Sequence, residues 1–283
     1  MSDDQGWALV SVLYVVAMLG LMAAAVQALL LSSEAMNRKV WEHTQAAAVL
    51  DAAVVRAVVG IGDGRLDQRW RVDGATMPFR FGGIDVAVEV QDQLGLIDLN
   101  AADGSLLKQL LQSAGLSDTD AATLTDRILD WRSPADQKRL HGASNAEYAT
   151  AGLSYHPRHG PFQSVSELRL VLGISNALYA RLAPALTVYN GRPAFDPNTA
   201  PATALRALYL NSPDQVARLI AERQQSADAL GSRPGVLSPA ISLAGRAFAI
   251  SAKAKLGAKR YRREAVVLLT GDETRPYLVL AWQ

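Results

Sequence analysis

Hydrophobic residues crowd toward one end of the chain. From Gln5 to Ser33 no residue is charged, and Trp7 to Leu31 alone makes a run of 25 residues. At 1.5 Å per residue that run is about 37 Å of helix, enough to cross a hydrocarbon core about 30 Å thick with some tilt. The pattern predicts a membrane-spanning helix over residues 7–33, behind a short polar leader at 1–6. A secretory signal fits less well. Met1 to Gly6 contains Asp3 and Asp4 but no Lys or Arg, and the apolar run exceeds the usual length of about 7–15 residues.

Beyond the span the pattern becomes amphipathic. Glu34 to Val59 contains no Gly or Pro, and Val40, Trp41, Ala47, Val54, Val55 and Val58 recur near helical spacing. The reading is a stem helix over 34–59 that continues the membrane helix and stops at Gly60-Ile61-Gly62-Asp63-Gly64. That glycine string has half the look of a phosphate-binding loop. It lacks a preceding strand and a clear following helix, so it reads as a breaker. Val40, Trp41 and Val54 are candidate contacts with a partner, or alternatively cover for the protein's own sheet.

After Gly64 the period changes to two. Arg69 to Val72, Met77 to Phe81, and the alternating Asp85 to Gln91 read as strands, with Leu96 to Leu99 a further short one. The same texture returns only at the far end, in Ala247 to Leu256, Arg260 to Thr270 and Arg275 to Trp282. Between the two blocks the pattern is helical. The expected fold is therefore α+β, with a small antiparallel sheet built from residues 60–98 and 240–283 and a large all-α insertion over 99–239.

The insertion carries an echo. Ile97-Asp98-Leu99-Asn100 and Phe195-Asp196-Pro197-Asn198 each precede a leucine-bearing helix. The Asp and Asn side chains are expected to cap those helices. Ser117 with Asp120, and Ser164 with Glu167, read as capping boxes.

Composition narrows the function. The 283 residues include 28 Lys and Arg against 27 Asp and Glu, and no cysteine. This removes disulfides, thiolate metal sites and a cysteine nucleophile, and gives no general attraction to nucleic acid. The turns Gly115-Leu116-Ser117 and Gly173-Ile174-Ser175 resemble those of helical hairpins that grip DNA phosphates. Each has one glycine where two are wanted, and few lysines accompany them. No G-x-S-x-G, H-E-x-x-H or phosphate-binding loop occurs. His156-Pro157-Arg158-His159 reads as a solvated loop rather than a metal site. The segment Ser133 to Pro161 is long for a structureless connection. Asp130, Asp136 and Glu147 are its only candidates for pinning through a Ca²⁺ ion. The expectation is a non-enzymatic structural protein.

These features together resemble the type IV pilin superfamily and, within it, the pseudopilin K family of type II secretion. The residues that carry the resemblance are Gly6-Trp7-Ala8-Leu9-Val10-Ser11-Val12-Leu13, Asp98-Leu99-Asn100, Leu129-Asp130-Trp131-Arg132, and Phe162-Gln163-Ser164-Val165-Ser166-Glu167-Leu168-Arg169-Leu170-Val171 running to Tyr179-Ala180-Arg181-Leu182-Ala183-Pro184. The resemblance implies a pilin-like fold with a single-pass anchor in the bacterial inner membrane and the C-terminal domain in the periplasm. It implies cleavage by a prepilin peptidase after Gly6, methylation of the Trp7 amine, and assembly with minor pseudopilins I, J and H. Ser11 would then be the fifth mature residue, where ordinary pilins carry a glutamate that pairs with a neighbour's amine. A serine there avoids an unpaired charge in the membrane and suits a subunit at the fibre tip. The family's loop after the Asp-Trp-Arg segment binds calcium, and Asp136 and Glu147 are the residues that carry over. The alternative is a DNA-binding minor pilin of a competence-type pilus.

Overall fold

The computed structural model describes residues 4–63, 65, 68–134, 138–210, 212–225 and 242–283, with backbone alone at 4–6, 8, 28–38, 224 and 225. Membrane span and stem form one uninterrupted helix, α1 (Asp4–Ile61), of 58 residues, about 87 Å long. Its last third is what makes it a protein helix as well as an anchor. Ala46, Val49, Leu50, Ala53, Val54, Ala57, Val58 and Ile61 are buried on a single stripe. The alanines in that stripe let the helix backbone approach the sheet closely.

The sheet has five antiparallel strands in the order β1-β2-β5-β6-β7. The strands are β1 (Asp73–Phe81), β2 (Ile84–Asp92), β5 (Ala247–Leu256), β6 (Lys259–Leu269) and β7 (Tyr277–Trp282). Val86, Val88 and Val90 of β2 lie beside Ala254, Ala252 and Ile250 of β5, and this alternating face closes on α1 with Phe248, Val267 and Leu269. An ion pair from Arg263 of β6 to Asp51 of α1, at 2.9 Å, adds a polar tie at the margin.

Two details differ from the sequence reading. Arg69 to Val72 is not a strand: Trp70 N–H donates to the Gly60 carbonyl at 2.9 Å, and the indole lies buried against the end of α1. Gly60 therefore does more than end a helix, which in fact runs on to Ile61. A Cβ at position 60 would fall 2.5 Å from the Trp70 ring. The second difference concerns β3 (Ile97–Asp98), which leaves the main sheet and pairs in parallel with β4 (Leu186–Thr187).

Between β2 and β5 lies a helical unit with its own core. It contains α2 (Gly104–Ser113), α3 (Asp118–Arg132), α4 (Asn145–Thr150), α5 (Asn176–Leu182), α6 (Ala202–Leu208) and α7 (Pro213–Gln225), with a 3₁₀ stretch at Val165–Leu170. Both Asx turns form: Asn100 N–H donates to Asp98 Oδ1 at 2.7 Å and Asn198 N–H to Asp196 Oδ1 at 2.9 Å. Neither caps the next helix. Asp103 caps α2 by accepting from Leu106 N–H, and α6 starts at Pro201 without a side-chain cap. Ser117 caps α3 as expected, whereas Ser164 makes no capping bond and opens the 3₁₀ stretch instead of an α-helix.

Candidate functional site: anchor, stem and the neck of the helical unit

The N-terminal part of α1 is uncovered among the described residues. Leu9–Gln27 is long and apolar enough to cross a bilayer, and none of that window is buried. The second apolar stretch of α1, Lys39–Ile61, is half buried because it is the core helix of the sheet domain. Ser11 donates its hydroxyl to the Trp7 carbonyl at 2.8 Å. This back-bond satisfies a polar group where hydrocarbon offers no partner. The backbone at Gly6 is already helical, and the Trp7 side chain is exposed.

The stem residues proposed as partner contacts separate. Val40 and Trp41 point to solvent, the indole 70% exposed. Val54 is 1% exposed and sits in the core between α1 and the sheet. As a partner contact Val54 is therefore corrected: its place on the stripe beside Ala53 and Ala57 turns it inward. Among the described residues the Trp41 ring stays largely exposed, just before the stripe of α1 that packs on the sheet. An exposed aromatic of this size is the kind of anchor that interfaces use.

A polar neck joins the helical unit to the sheet. Asp92, at the end of β2 and fully buried, accepts from Leu94 N–H at 3.0 Å and is ion-paired with Arg246, just before β5. Thr187 Oγ1 donates to Gln93 Oε1 at 2.7 Å, and Asn190 Nδ2 donates to the Leu96 carbonyl at 2.7 Å. Asp98, also buried, accepts from Asn100 N–H and from Gly191 N–H, each at 2.7 Å. Arg132 closes the same region by donating to the Leu99 and Ala102 carbonyls, both at 2.6 Å. Asp98→Asn replaces one acceptor oxygen by a donor facing N–H groups, so a loss of about 1–3 kcal/mol is expected from denaturant unfolding. An unchanged midpoint would show the cradle to be dispensable.

The loop 133–161 is not structureless. Ser144 and Glu147 form a full capping box that starts α4. Glu147 accepts from Ser144 N–H at 2.7 Å and from Ser144 Oγ at 2.6 Å, and is ion-paired with Lys138. These bonds, that to Lys138 first, hold its carboxyl down at about 2. Asp130 is buried and bound to Arg139, with Nη1 at 2.6 Å. A Cβ at Gly142 would strike the Asp130 carboxylate, at 1.7 Å from Oδ2, so the loop folds tightly over it. Asp136 lies outside the described residues. Among the described residues no three metal-ligating side chains cluster, and both other candidate carboxylates are neutralised by adjacent cations.

A pH dependence follows from Glu147. A carboxyl lowered in the folded state contributes stability present above its ordinary value of 4.5 and lost as pH falls toward about 2. Amide exchange across 144–152 is expected to quicken over that window, and Glu147→Gln to flatten the response.

The turns considered as phosphate grips are committed to helix ends. Gly115 N–H donates to the Gln112 carbonyl at 2.8 Å and Leu116 N–H to the Leu111 carbonyl at 3.3 Å, a Schellman arrangement. The carbonyl of Leu172, just before Gly173, accepts from Arg127 Nη1 at 3.0 Å.

Residues 89–191, the span from β2 through the neck and most of the helical unit, match the family model "Type II secretion system (T2SS), protein K". Over those residues the chain is similar to the protein K family of the type II secretion system. A protein K from Pseudomonas aeruginosa is 28% identical over 91% of this chain and 86% of its own length. The protein K of Klebsiella pneumoniae is 29% identical over 42% of this chain and 40% of its own, and that of Aeromonas hydrophila 32% over 45% and 38%. In three dimensions the chain is similar to a chain of the GspK-GspI-GspJ complex from enterotoxigenic Escherichia coli. The TM-score is 0.62 with 18% identity, covering 87% of this chain and 98% of that one. These matches support a minor pseudopilin of the type II secretion system, with an N-terminal helix apolar enough to cross a membrane and a folded domain beyond it. Nothing in these comparisons favours the competence-type alternative.

Proposed function

We propose that this minor pseudopilin forms the tip of the periplasmic pseudopilus together with minor pseudopilins I and J, and caps it. The observation that carries the reading is the division of α1: an apolar half without protein cover, then a half packed on the sheet with Val40 and Trp41 left facing outward. The similar chain comes from a complex that holds GspI and GspJ, which supports the same partners here.

The anchor would lie in the inner membrane, with the bulk of the chain on the periplasmic side. Prepilin peptidase would cut after Gly6 and methylate the Trp7 amine. Ser11 would then stand at the fifth mature position with its hydroxyl already satisfied by the Trp7 carbonyl. It would need no neighbouring amine, as fits a subunit with nothing above it. The helical unit, held stiffly by its neck, supplies bulk against further stacking.

Excision of 93–245 with a short loop joining Asp92 to Arg246 tests the capping role. Pseudopili grown under overexpression should lengthen when this variant replaces the intact chain. Unchanged lengths would contradict the cap. Intact mass from membranes, with and without peptidase, should show a chain beginning at methylated Trp7 only when the enzyme is present.

A further inference from the structure

The hairpin of β5 and β6 holds an unusual concentration of charge. Between positions 253 and 263 stand Lys253, Lys255, Lys259, Arg260, Arg262 and Arg263 with no acidic residue, in a chain whose net charge is only +1. Three of the six have carboxylate partners: Lys253 with Glu89, Arg262 with Glu264 and Arg263 with Asp51. Lys255, Lys259 and Arg260 are exposed and have no carboxylate partner among the described residues. Cross-strand pairing puts Lys255 opposite Arg260 and Leu256 opposite Lys259, so the three cations gather at the turn. Like charges set directly opposite are destabilising in isolation.

The position of that turn is informative. Tyr261 meets His43, with ring centroids 6.2 Å apart, and Arg263 meets Asp51 farther along α1. Strand β6 therefore climbs away from the membrane alongside the helix, and its start is the membrane-facing end of the domain. Lys255, Leu256 and Gly257 share a cavity wall with Glu42, Gln45, Gly83 and Asp85. The turn of the neighbouring hairpin thus lies at the same level, with Phe81 exposed and Arg80 bridged to Asp85 at 3.2 Å.

From Ser33, where the uncharged run ends, to Glu42 is nine residues of continuous helix, about 14 Å. The headgroup layer takes up about 5–7 Å of that distance, and electrostatic attraction reaches about 8 Å further at physiological salt. We propose that the tip of the β5–β6 hairpin, through Lys255, Lys259 and Arg260, binds anionic phospholipid headgroups of the membrane that anchors α1. Charge complementarity selects the lipid surface, and Phe81, exposed at the turn of the neighbouring hairpin, is an aromatic of the kind that settles at interfaces. The contact would hold the domain against the bilayer until assembly lifts it away. The inference rests on the anchor reading above.

Because the chain has no cysteine, Ala258→Cys at the exposed turn gives a single site for a nitroxide label. The full chain is placed in nanodiscs of phosphatidylcholine, or of the same lipid with a third phosphatidylglycerol. Collision of the label with a water-soluble nickel chelate is then measured. The proposal expects reduced collision only in the anionic discs, reversed by high salt and by Lys255→Glu, Lys259→Glu and Arg260→Glu together. Each cation near such a surface should change the docking equilibrium constant by about fivefold. Equal collision in both lipids overturns the proposal. So does protection that appears only when other minor pseudopilins are added, which would assign the cations to a protein surface. A chain that fails to enter either disc overturns the anchor reading instead, so the two failures are distinguishable.

Discussion

Arg246→Ala should cost about 3–5 kcal/mol of stability, because it leaves a buried carboxylate without its counter-charge. Asp92 is 0% exposed. Burial raises the pKa of its carboxyl, and the Arg246 guanidinium only partly offsets that effect. Among the described residues, the one other hydrogen bond to the Asp92 carboxylate is from Leu94 N–H, far too little to stand in for solvent. The sign with pH follows. A carboxyl whose pKa is raised on folding binds its proton more tightly in the folded state, so acid relieves the penalty and rising pH restores it. The electrostatic part of the Arg246→Ala deficit should therefore shrink as pH falls toward the ordinary aspartate value of 3.8 and grow as pH rises above it. Replacing both partners with leucine should cost less than Arg246→Ala alone. Denaturant midpoints of the three variants at two pH values check this, and a loss under 1 kcal/mol for the single variant would show that Asp92 is solvated. The pair ties the end of β2 to the residue before β5, where the helical unit joins the sheet.

Trp131→Ala is expected to be as costly, about 3–5 kcal/mol, but local. The indole is buried, lies 6.1 Å from both the Phe162 and Tyr148 rings, and reaches Glu167 with Nε1 at 3.3 Å. Glu167 in turn accepts from Gln163 N–H at 2.8 Å and Arg158 Nη1 at 3.1 Å. One side chain thus ties α3 to α4, to the 155–162 loop and to the 3₁₀ stretch. The helical unit and the sheet domain have separate cores. Hydrogen exchange should therefore speed up across 145–182 while Val86 to Val90 and Ile250 keep their protection. Loss of protection in both units together would mean that they fold as one.

How much of this was legible in the sequence varied with the range of the interaction. The continuous anchor and stem could be read because absence of charge and helical spacing are local properties. The alternation of Val86, Val88 and Val90 likewise announced β2. Trp70 and Val72 imitated a strand because both are buried, yet they are buried by wrapping round the end of α1, a long-range contact. Residues 133–161 look like loop in the sequence, although Ser144 and Glu147 have the capping-box spacing. A carboxylate in such a loop suggests a metal ligand as readily as a helix cap, and the structure shows Glu147 as the cap. Val54 was ambiguous because a stripe shows which residues share a face, not what covers it. Nothing in the sequence joined Asp92 to Arg246, since an ion pair so distant along the chain leaves no periodic trace. The basic hairpin was visible as composition only. Its position at the membrane-facing end needed the contacts of Tyr261 and Arg263 with α1.

Assembly is the central claim, and the native mass of what is extracted from membranes tests it most directly. The full chain is co-expressed with prepilin peptidase and with minor pseudopilins I and J of the same system. The account predicts a complex holding one copy of each, with this chain beginning at Trp7, and a reduced yield of that complex for Trp41→Ala at unchanged thermal stability. Recovery of this chain alone, while I and J associate without it, would contradict the account.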